Sequence, residues 1–297
     1  MPLIINTPTG NIGRALSGFL LEEKADVIII GRHPEKVADL VARGARLITG
    51  SLDDPQVLQK AMQDGGTLFW LTPPNLVPGY PQWARMIAGL AADTANAQGV
   101  DHIVVLSSVG AQAGPGTGPV AVLGEVENIF KAQCTNLAVL RPAYFMENLL
   151  HHTATIAAEG AFYLPLQATR NLPMVATRDI ANVAAGLMLD TSWSGHRIVG
   201  VHGPEDLSHA RAAEIISAEL DRTVTFVPVT PEQARRALQQ MGLSDYEVDM
   251  YSELYAAMAD GKLEPAEPRT AETTTPTSLA QFVREVMKPA IGHAAEA

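Results

Sequence analysis

Short apolar runs recur along the first half of the chain, and each is followed by a segment in which apolar residues have helical spacing. Runs at residues 3–6, 27–30, 46–49, 67–71, 102–106 and 136–140 predict six β-strands. Residues 28–30 and 103–106 are apolar at every position, which is typical of strands that helices cover on both faces. The alternation of strands and helices predicts an α/β fold with a doubly wound parallel sheet.

The pattern becomes less regular after about residue 149. Short strands are predicted at 162–164, 174–176, 196–202 and 224–227, and helices at 179–189, 208–220 and 231–260. We interpret residues 1–148 as a Rossmann-like domain. Residues 149–288 are predicted to form mainly a smaller α+β lobe that covers the substrate, with some segments returning to the first domain. Residues 289–297, which are rich in small side chains, are expected to form a mobile tail.

Composition excludes several classes of function. The formal net charge of −11 argues against binding to nucleic acid or to a membrane, because both require clustered Lys and Arg. Cys134 is the only cysteine, so no disulfide and no metal site are predicted. These features predict a cytoplasmic protein that acts on a small-molecule substrate. The apolar face of the predicted helix at 231–260 suggests core packing, a substrate lid or the interface of a homodimer.

A glycine-containing turn follows the first predicted strand. A dinucleotide site requires glycines here, because the chain turns tightly, backbone N–H groups approach the pyrophosphate and a helix packs closely. Gly10 and Gly13 can meet the last two needs, but Thr7 stands where the first glycine is usual. A β-branched residue disfavours positive φ, so we expect this loop to follow a different path. The residues predicted to bind the cofactor here are Thr9, Gly10, Asn11, Ile12 and Gly13. The alternative is that the glycines serve only close packing.

Arg32 follows the second predicted strand, where NAD enzymes carry a carboxylate that binds the ribose hydroxyls. A guanidinium group suits a 2′-phosphate instead, and His33 and Lys36 supply further basic groups. We therefore predict NADP(H) rather than NAD(H), with Arg32 and Lys36 as cofactor ligands. The alternative is a solvated basic turn.

Hydroxyl-bearing residues follow the fourth and fifth predicted strands, at the edge where parallel sheets bind ligands. Thr72, Pro73 and Ser107 are predicted to contact the cofactor. Ser107 and Ser108 are also candidate catalytic residues, as hydrogen-bond donors to a substrate oxygen. The alternative is that these residues only form turns.

Tyr144 follows the sixth predicted strand and is the third catalytic candidate, because its hydroxyl group could donate a hydrogen bond to the substrate. The alternative is aromatic packing beside the cofactor. Val109, Phe145 and Asn148 are predicted to line the substrate pocket.

Six segments of the chain form a recognisable set: residues 9–13, 31–36, 102–108, 140–148, 177–181 and 276–279. With them the chain resembles the NmrA-like family of atypical short-chain dehydrogenase/reductases, and residues 140–148 are the most specific match. The resemblance implies an extended Rossmann fold and NAD(P) binding. It also implies either reduction of quinones and related electron-poor compounds, or redox sensing through protein partners.

The chain departs from this resemblance in its proton donors. Typical short-chain dehydrogenases carry a Tyr and a Lys four positions apart, and no such pair follows Ser108. Some family members have His or Lys where this chain has Leu123, which cannot transfer a proton. Our main hypothesis is an oxidoreductase that transfers hydride from NADP(H) to a quinone- or enone-like molecule. The alternatives are a redox-sensing NADP(H)-binding regulatory protein without turnover, and a non-redox biosynthetic enzyme such as a cyclase or isomerase.

Overall fold

Strands and helices alternate through the first half of the chain, and all six predicted strands are present. The computed structural model describes the backbone of residues 1–296 and the side chains of residues 1–292. Its elements in this half are β1 (Leu3–Asn6), α1 (Asn11–Glu22), β2 (Val27–Gly31), α2 (Ala38–Ala42), β3 (Arg46–Thr49), α3 (Pro55–Met62), β4 (Gly66–Leu71), α4 (Tyr80–Ala97), β5 (Val100–Leu106), α5 (Pro119–Gln133) and β6 (Asn136–Pro142).

Shorter elements make up the second half. They are β7 (Tyr144–Phe145), α6 (Thr153–Glu159), β8 (Ala161–Leu164), β9 (Asn171–Val175), α7 (Thr177–Leu189), β10 (His196–Val201), β11 (Asp206–Ser208), α8 (His209–Leu220), β12 (Thr225–Pro228), α9 (Pro231–Gln240), α10 (Asp245–Ala259), α11 (Leu279–Phe282) and α12 (Lys288–Glu296). A 3₁₀ segment, Met146–His152, follows β7. Within residues 1–296, no helix is both long enough and apolar enough to cross a bilayer.

The central sheet has seven parallel strands in the order β10-β6-β5-β4-β1-β2-β3. Neighbouring residues of β1, such as Ile4 and Ile5, point to opposite faces and are both fully buried. Helices α1 and α7 cover one face, and α3, α4 and α5 cover the other. The predicted doubly wound Rossmann-like sheet is confirmed, and β10 adds a seventh strand to the six predicted for it.

The remaining strands form a three-stranded sheet, β11-β9-β7, and a two-stranded sheet, β12-β8. They share an apolar core with α8, α11 and the segment after it, including Phe162, Ile216 and Phe282. Because β10 pairs with β6 and α7 packs on α1, part of the second half belongs to the central sheet. The division of the chain near residue 148 stays a prediction.

One expectation about the C-terminal half is corrected. The helix predicted at 231–260 is two helices, because Gly242 takes a left-handed φ of +83° and Ser244 begins α10 with a capping box to Glu247. The tail predicted at 289–297 is helical through Glu296 and Ile291 is buried, while its expected mobility stays a prediction. Residue 297 lies outside the described residues.

Candidate functional site

The turn between β1 and α1 keeps the tight geometry of a glycine turn. Thr7 takes a left-handed φ of +56°, and the N–H of Gly10 donates to its carbonyl oxygen at 3.1 Å. A Cβ at Gly13 would lie 2.3 Å from that same oxygen, so only glycine lets α1 approach so closely. The expectation that Thr7 diverts the loop is therefore wrong. Packing around this turn overrides the local preference of a β-branched residue.

The N-terminus of α1 is open to a ligand. Gly10 is the N-cap residue and supplies no side-chain cap, and the first turn contains no acidic residue. The unpaired N–H groups and the helix dipole therefore favour an anion at this point. Gly10 and Asn11 are exposed here, while Thr9 and Ile12 each line one of two neighbouring cavities.

The first cavity, of about 260 Å³, lies beyond the ends of β1 and β2. We call it the polar cavity; its wall includes Thr7, Thr9, Arg32, Ser51, Pro73 and Trp83. Hydrogen bonding from Ser51 and Trp83, helped by the charge of Arg32, lowers the pKa of Asp53 beside this wall. Lys36 does not line either cavity, and its backbone carbonyl accepts a hydrogen bond from Arg14. Its role as a cofactor ligand stays a prediction.

The second cavity, of about 410 Å³, lies beyond the ends of β4, β5 and β6, and we call it the apolar cavity. It brings together eight residues that the sequence singled out: Ile12, Thr72, Ser107, Ser108, Val109, Tyr144, Phe145 and Asn148. Leu254 and Met258 of α10 also line it, so the apolar face of that helix covers the cavity. Pro74 lines both cavities, which therefore adjoin.

Asn6, at the end of β1, fixes the edge of the sheet below these cavities. Its amide group donates to the carbonyl of Leu71 at 2.7 Å and accepts from the N–H of Leu71 at 2.8 Å. The side chain is fully buried. It therefore holds the ends of β1 and β4 together at the point where both lead into loops of the site.

Ser107 lies in the wall of the apolar cavity, but its hydroxyl group already donates a hydrogen bond within the protein. It donates to Glu127 at 2.6 Å, and the same carboxylate is held by Arg141 at 2.7 and 2.9 Å and by Lys131 at 3.0 Å. Burial opposes ionisation of Glu127, but these hydrogen bonds outweigh it and lower the pKa. The proton of Ser107 is therefore directed to Glu127 in this structure, and its role as a donor to the substrate stays a prediction. Ser107 can still accept a hydrogen bond.

Ser108 and Tyr144 differ in how their hydroxyl groups are held. The hydroxyl of Ser108 donates to the carbonyl of Val109 at 3.0 Å. Burial raises the pKa of Tyr144, whose hydroxyl interacts with Asn148, and its ring meets the edge of His209 at 5.7 Å between centroids. Both residues line the apolar cavity, and their catalytic roles stay predictions.

Several residues of the site were not found from sequence. Arg170 closes one side of the apolar cavity by donating to the carbonyl of Ala259 at 2.6 Å and to Glu264 at 2.7 Å. Tyr80, at the start of α4, also lines the cavity. The only sequence signal for Tyr80 is its place at the first helix after β4. No cluster of side chains suited to a metal ion is present among the described residues.

Comparison with known proteins identifies the family. A sequence model of the NmrA-like family matches residues 3–283. The chain belongs to the NmrA-like family. This confirms the resemblance inferred from residues 9–13 and 140–148.

Three relatives of this NmrA-like chain are informative. It is 33% identical over 253 residues to the NAD(P)H azoreductase of Xenophilus azovorans, covering 84% of each chain. Its fold is similar to that of the NADPH-dependent quinone oxidoreductase QOR2 of Escherichia coli, solved with NADPH, at 20% identity, with 96% of this chain and 99% of that chain covered and a TM-score of 0.82. It is also similar to the triphenylmethane reductase of Citrobacter sp., solved with NADP(H), at 17% identity, with 99% and 100% covered and a TM-score of 0.79.

Proposed function

We propose that this NmrA-like protein is an NADP(H)-dependent reductase that transfers a hydride to a quinone- or enone-like small molecule. The observation that carries the proposal is the pair of adjoining cavities along the carboxyl edge of the sheet, the first with more polar groups in its lining, including Arg32, and the second almost wholly apolar. The turn between β1 and α1 touches both. This is the arrangement that a dinucleotide needs when its reactive ring must meet an apolar substrate.

The residues of the polar cavity fit the adenosine half of NADP(H). The open N-terminus of α1 suits the pyrophosphate, and the glycine at position 13 lets the helix approach. Arg32 lines the cavity and would hold the 2′-phosphate. When bound, the reduced cofactor supplies the hydride. The non-redox alternative depended mainly on a turn after β1 that no longer suits a dinucleotide. The left-handed conformation of Thr7 removes that reason.

The residues of the apolar cavity fit a planar, uncharged acceptor. Its charged side chains, Arg170 and Glu264, pair with each other, so the cavity offers no unpaired charge to an ionic substrate. Leu254 and Met258 cover it and would exclude water around the transferred hydride. The azoreductase relative supports adding azo compounds to the acceptors tested, because these are also planar and electron-poor.

The proposal is tested by measuring NADPH oxidation by the purified protein with a panel of quinones, enones and azo compounds, without oxygen. We expect turnover with at least one of these planar acceptors and little with charged aliphatic carbonyl compounds. NADPH binding is measured in parallel by fluorescence. A protein that binds NADPH tightly but oxidises it with none of these acceptors would overturn the reductase proposal and favour the regulatory alternative.

A further inference from the structure

Tyr80 is a buried phenol in the wall of the apolar cavity. Only 2% of its surface is exposed, and none of the described residues forms a hydrogen bond with its hydroxyl group. A phenol hydroxyl with no acceptor in the protein is free to donate to a ligand, whereas phenylalanine at this position would offer the cavity no donor. A ligand oxygen in the cavity would supply the missing partner.

The local structure holds the Tyr80 ring in place. Gly79 turns the chain with a φ of +91°, and the N–H of Tyr80 donates to the carbonyl of Val77 at 2.9 Å. Ala84 and Val122 pack with the ring in a small buried cluster. Burial raises the pKa of Tyr80 to about 12, so the phenol keeps its proton across the physiological pH range. The hydroxyl is therefore a fixed, neutral donor.

Three other polar side chains of the cavity already donate within the protein, whereas the hydroxyl of Tyr144 has only Asn148 beside it. Ser107 donates to Glu127, and Ser108 donates to a backbone carbonyl. Arg170 is held by Glu264 and a second carbonyl. Leu123, which lines the same cavity, has no proton to donate. Tyr80 is thus a cavity donor that Ser107, Ser108 and Arg170 cannot replace, and its partner would come from the ligand.

We propose that the Tyr80 hydroxyl group donates a hydrogen bond to the acceptor oxygen and stabilises the negative charge that develops there during reduction. This inference rests on the proposed function. The hydride, with its electron pair, passes to the acceptor, and the oxygen gains negative charge as the carbonyl π bond opens. The O–H bond of Tyr80 does not break. A proton from water then neutralises the reduced oxygen.

The first test compares the wild type with Tyr80→Phe, which removes only the hydroxyl group. Tyr163→Phe is the matched control, because the hydroxyl of Tyr163 is bound to Glu159 near the surface and away from the cavity. We expect Tyr80→Phe to lower kcat with a quinone by about 100-fold, as the loss of one oxyanion donor does, while NADPH affinity and Tm stay unchanged. The control should keep wild-type kcat. If Tyr80→Phe keeps wild-type kcat, the inference is wrong although the proposed function stands.

A second measurement does not depend on turnover. 4-Nitrophenolate carries its charge on oxygen and cannot be reduced when the cofactor is NADP⁺, so its binding to the protein–NADP⁺ complex can be titrated by absorbance. We expect Tyr80→Phe to bind it about 10-fold more weakly than the wild type does, which is a typical effect of one charge-assisted hydrogen bond. Equal affinities, or no binding to the wild type, would overturn the role of Tyr80. Inactivity of the wild type with every acceptor would instead refute the proposed function.

Discussion

Replacing Thr7 by glycine should stabilise the protein. A residue with a Cβ loses roughly 1–2 kcal/mol in the left-handed region that Thr7 occupies. The buried hydroxyl of Thr7, which has no hydrogen-bond partner among the described residues, costs about 1–3 kcal/mol more. Two effects of the substitution oppose this gain. Glycine makes the unfolded chain more flexible, which destabilises the variant by about 0.5–1 kcal/mol, and loss of the buried Thr7 methyl group costs about 0.8 kcal/mol. The net expectation is a gain on the order of 1–2 kcal/mol.

The assay is urea denaturation of the protein without cofactor, with Thr9→Gly as the matched control. Thr9 lies in the same turn and is exposed, and it is not among the residues with positive φ. Thr9→Gly should therefore lower the free energy of unfolding by about 0.5–1 kcal/mol. NADPH affinity of Thr7→Gly should equal or exceed that of the wild type. A Thr7→Gly protein that is destabilised as much as Thr9→Gly would refute the left-handed turn.

Three further predictions test other parts of the account. Gly13→Ala should weaken NADPH binding by about 5- to 150-fold, because overpacking at the turn costs about 1–3 kcal/mol. Gly89→Ala, whose Cβ meets no atom within 4 Å, should bind NADPH normally, and equal titrations of the two variants would contradict this. Ser107→Ala should lower the free energy of unfolding in urea by about 1.5–3 kcal/mol, because the hydrogen bond to Glu127 is lost. Its kcat should change less than about threefold, and a 100-fold fall in kcat would instead indicate that Ser107 is catalytic. Burial lowers the pKa of His209 from 6.5 to about 4, so the stability that its neutral form contributes is full above pH 6.5 and falls towards pH 4. In urea denaturation near pH 5, His209→Phe should therefore lose about 2 kcal/mol less stability on acidification than the wild type does. An unchanged pH dependence of unfolding would argue against this.

Much of the fold was predictable because buried parallel strands leave a simple pattern. Runs such as residues 28–30 are apolar at every position, and their strands lie in the middle of the sheet. The sequence predicted a strand where β10 lies, but it did not indicate that this strand joins the central sheet. Its first three residues, beginning with His196, are exposed, and nothing local in the sequence indicates that its partner is β6.

The candidate site was predictable where residues directly follow strands, because the ends of parallel strands meet at one edge. Thr72, Ser107 and Tyr144 were found in this way. Tyr80 was missed because an eight-residue loop separates it from β4. The hydrogen bond from Ser107 to Glu127 depends on how α5 packs against β5, which local sequence does not encode.

The central claim is that the turn between β1 and α1, together with Arg32, binds NADP(H). Fluorescence titration of NADPH and NADH with the wild type, Arg32→Ala and Lys36→Ala tests it most directly. We predict that the wild type prefers NADPH, and that Arg32→Ala weakens NADPH binding by about 1.5–3 kcal/mol while leaving NADH binding unchanged. Lys36→Ala, whose side chain does not line the polar cavity, should have a smaller effect. Equal affinity of the wild type for both cofactors, or no binding of either, would contradict the account.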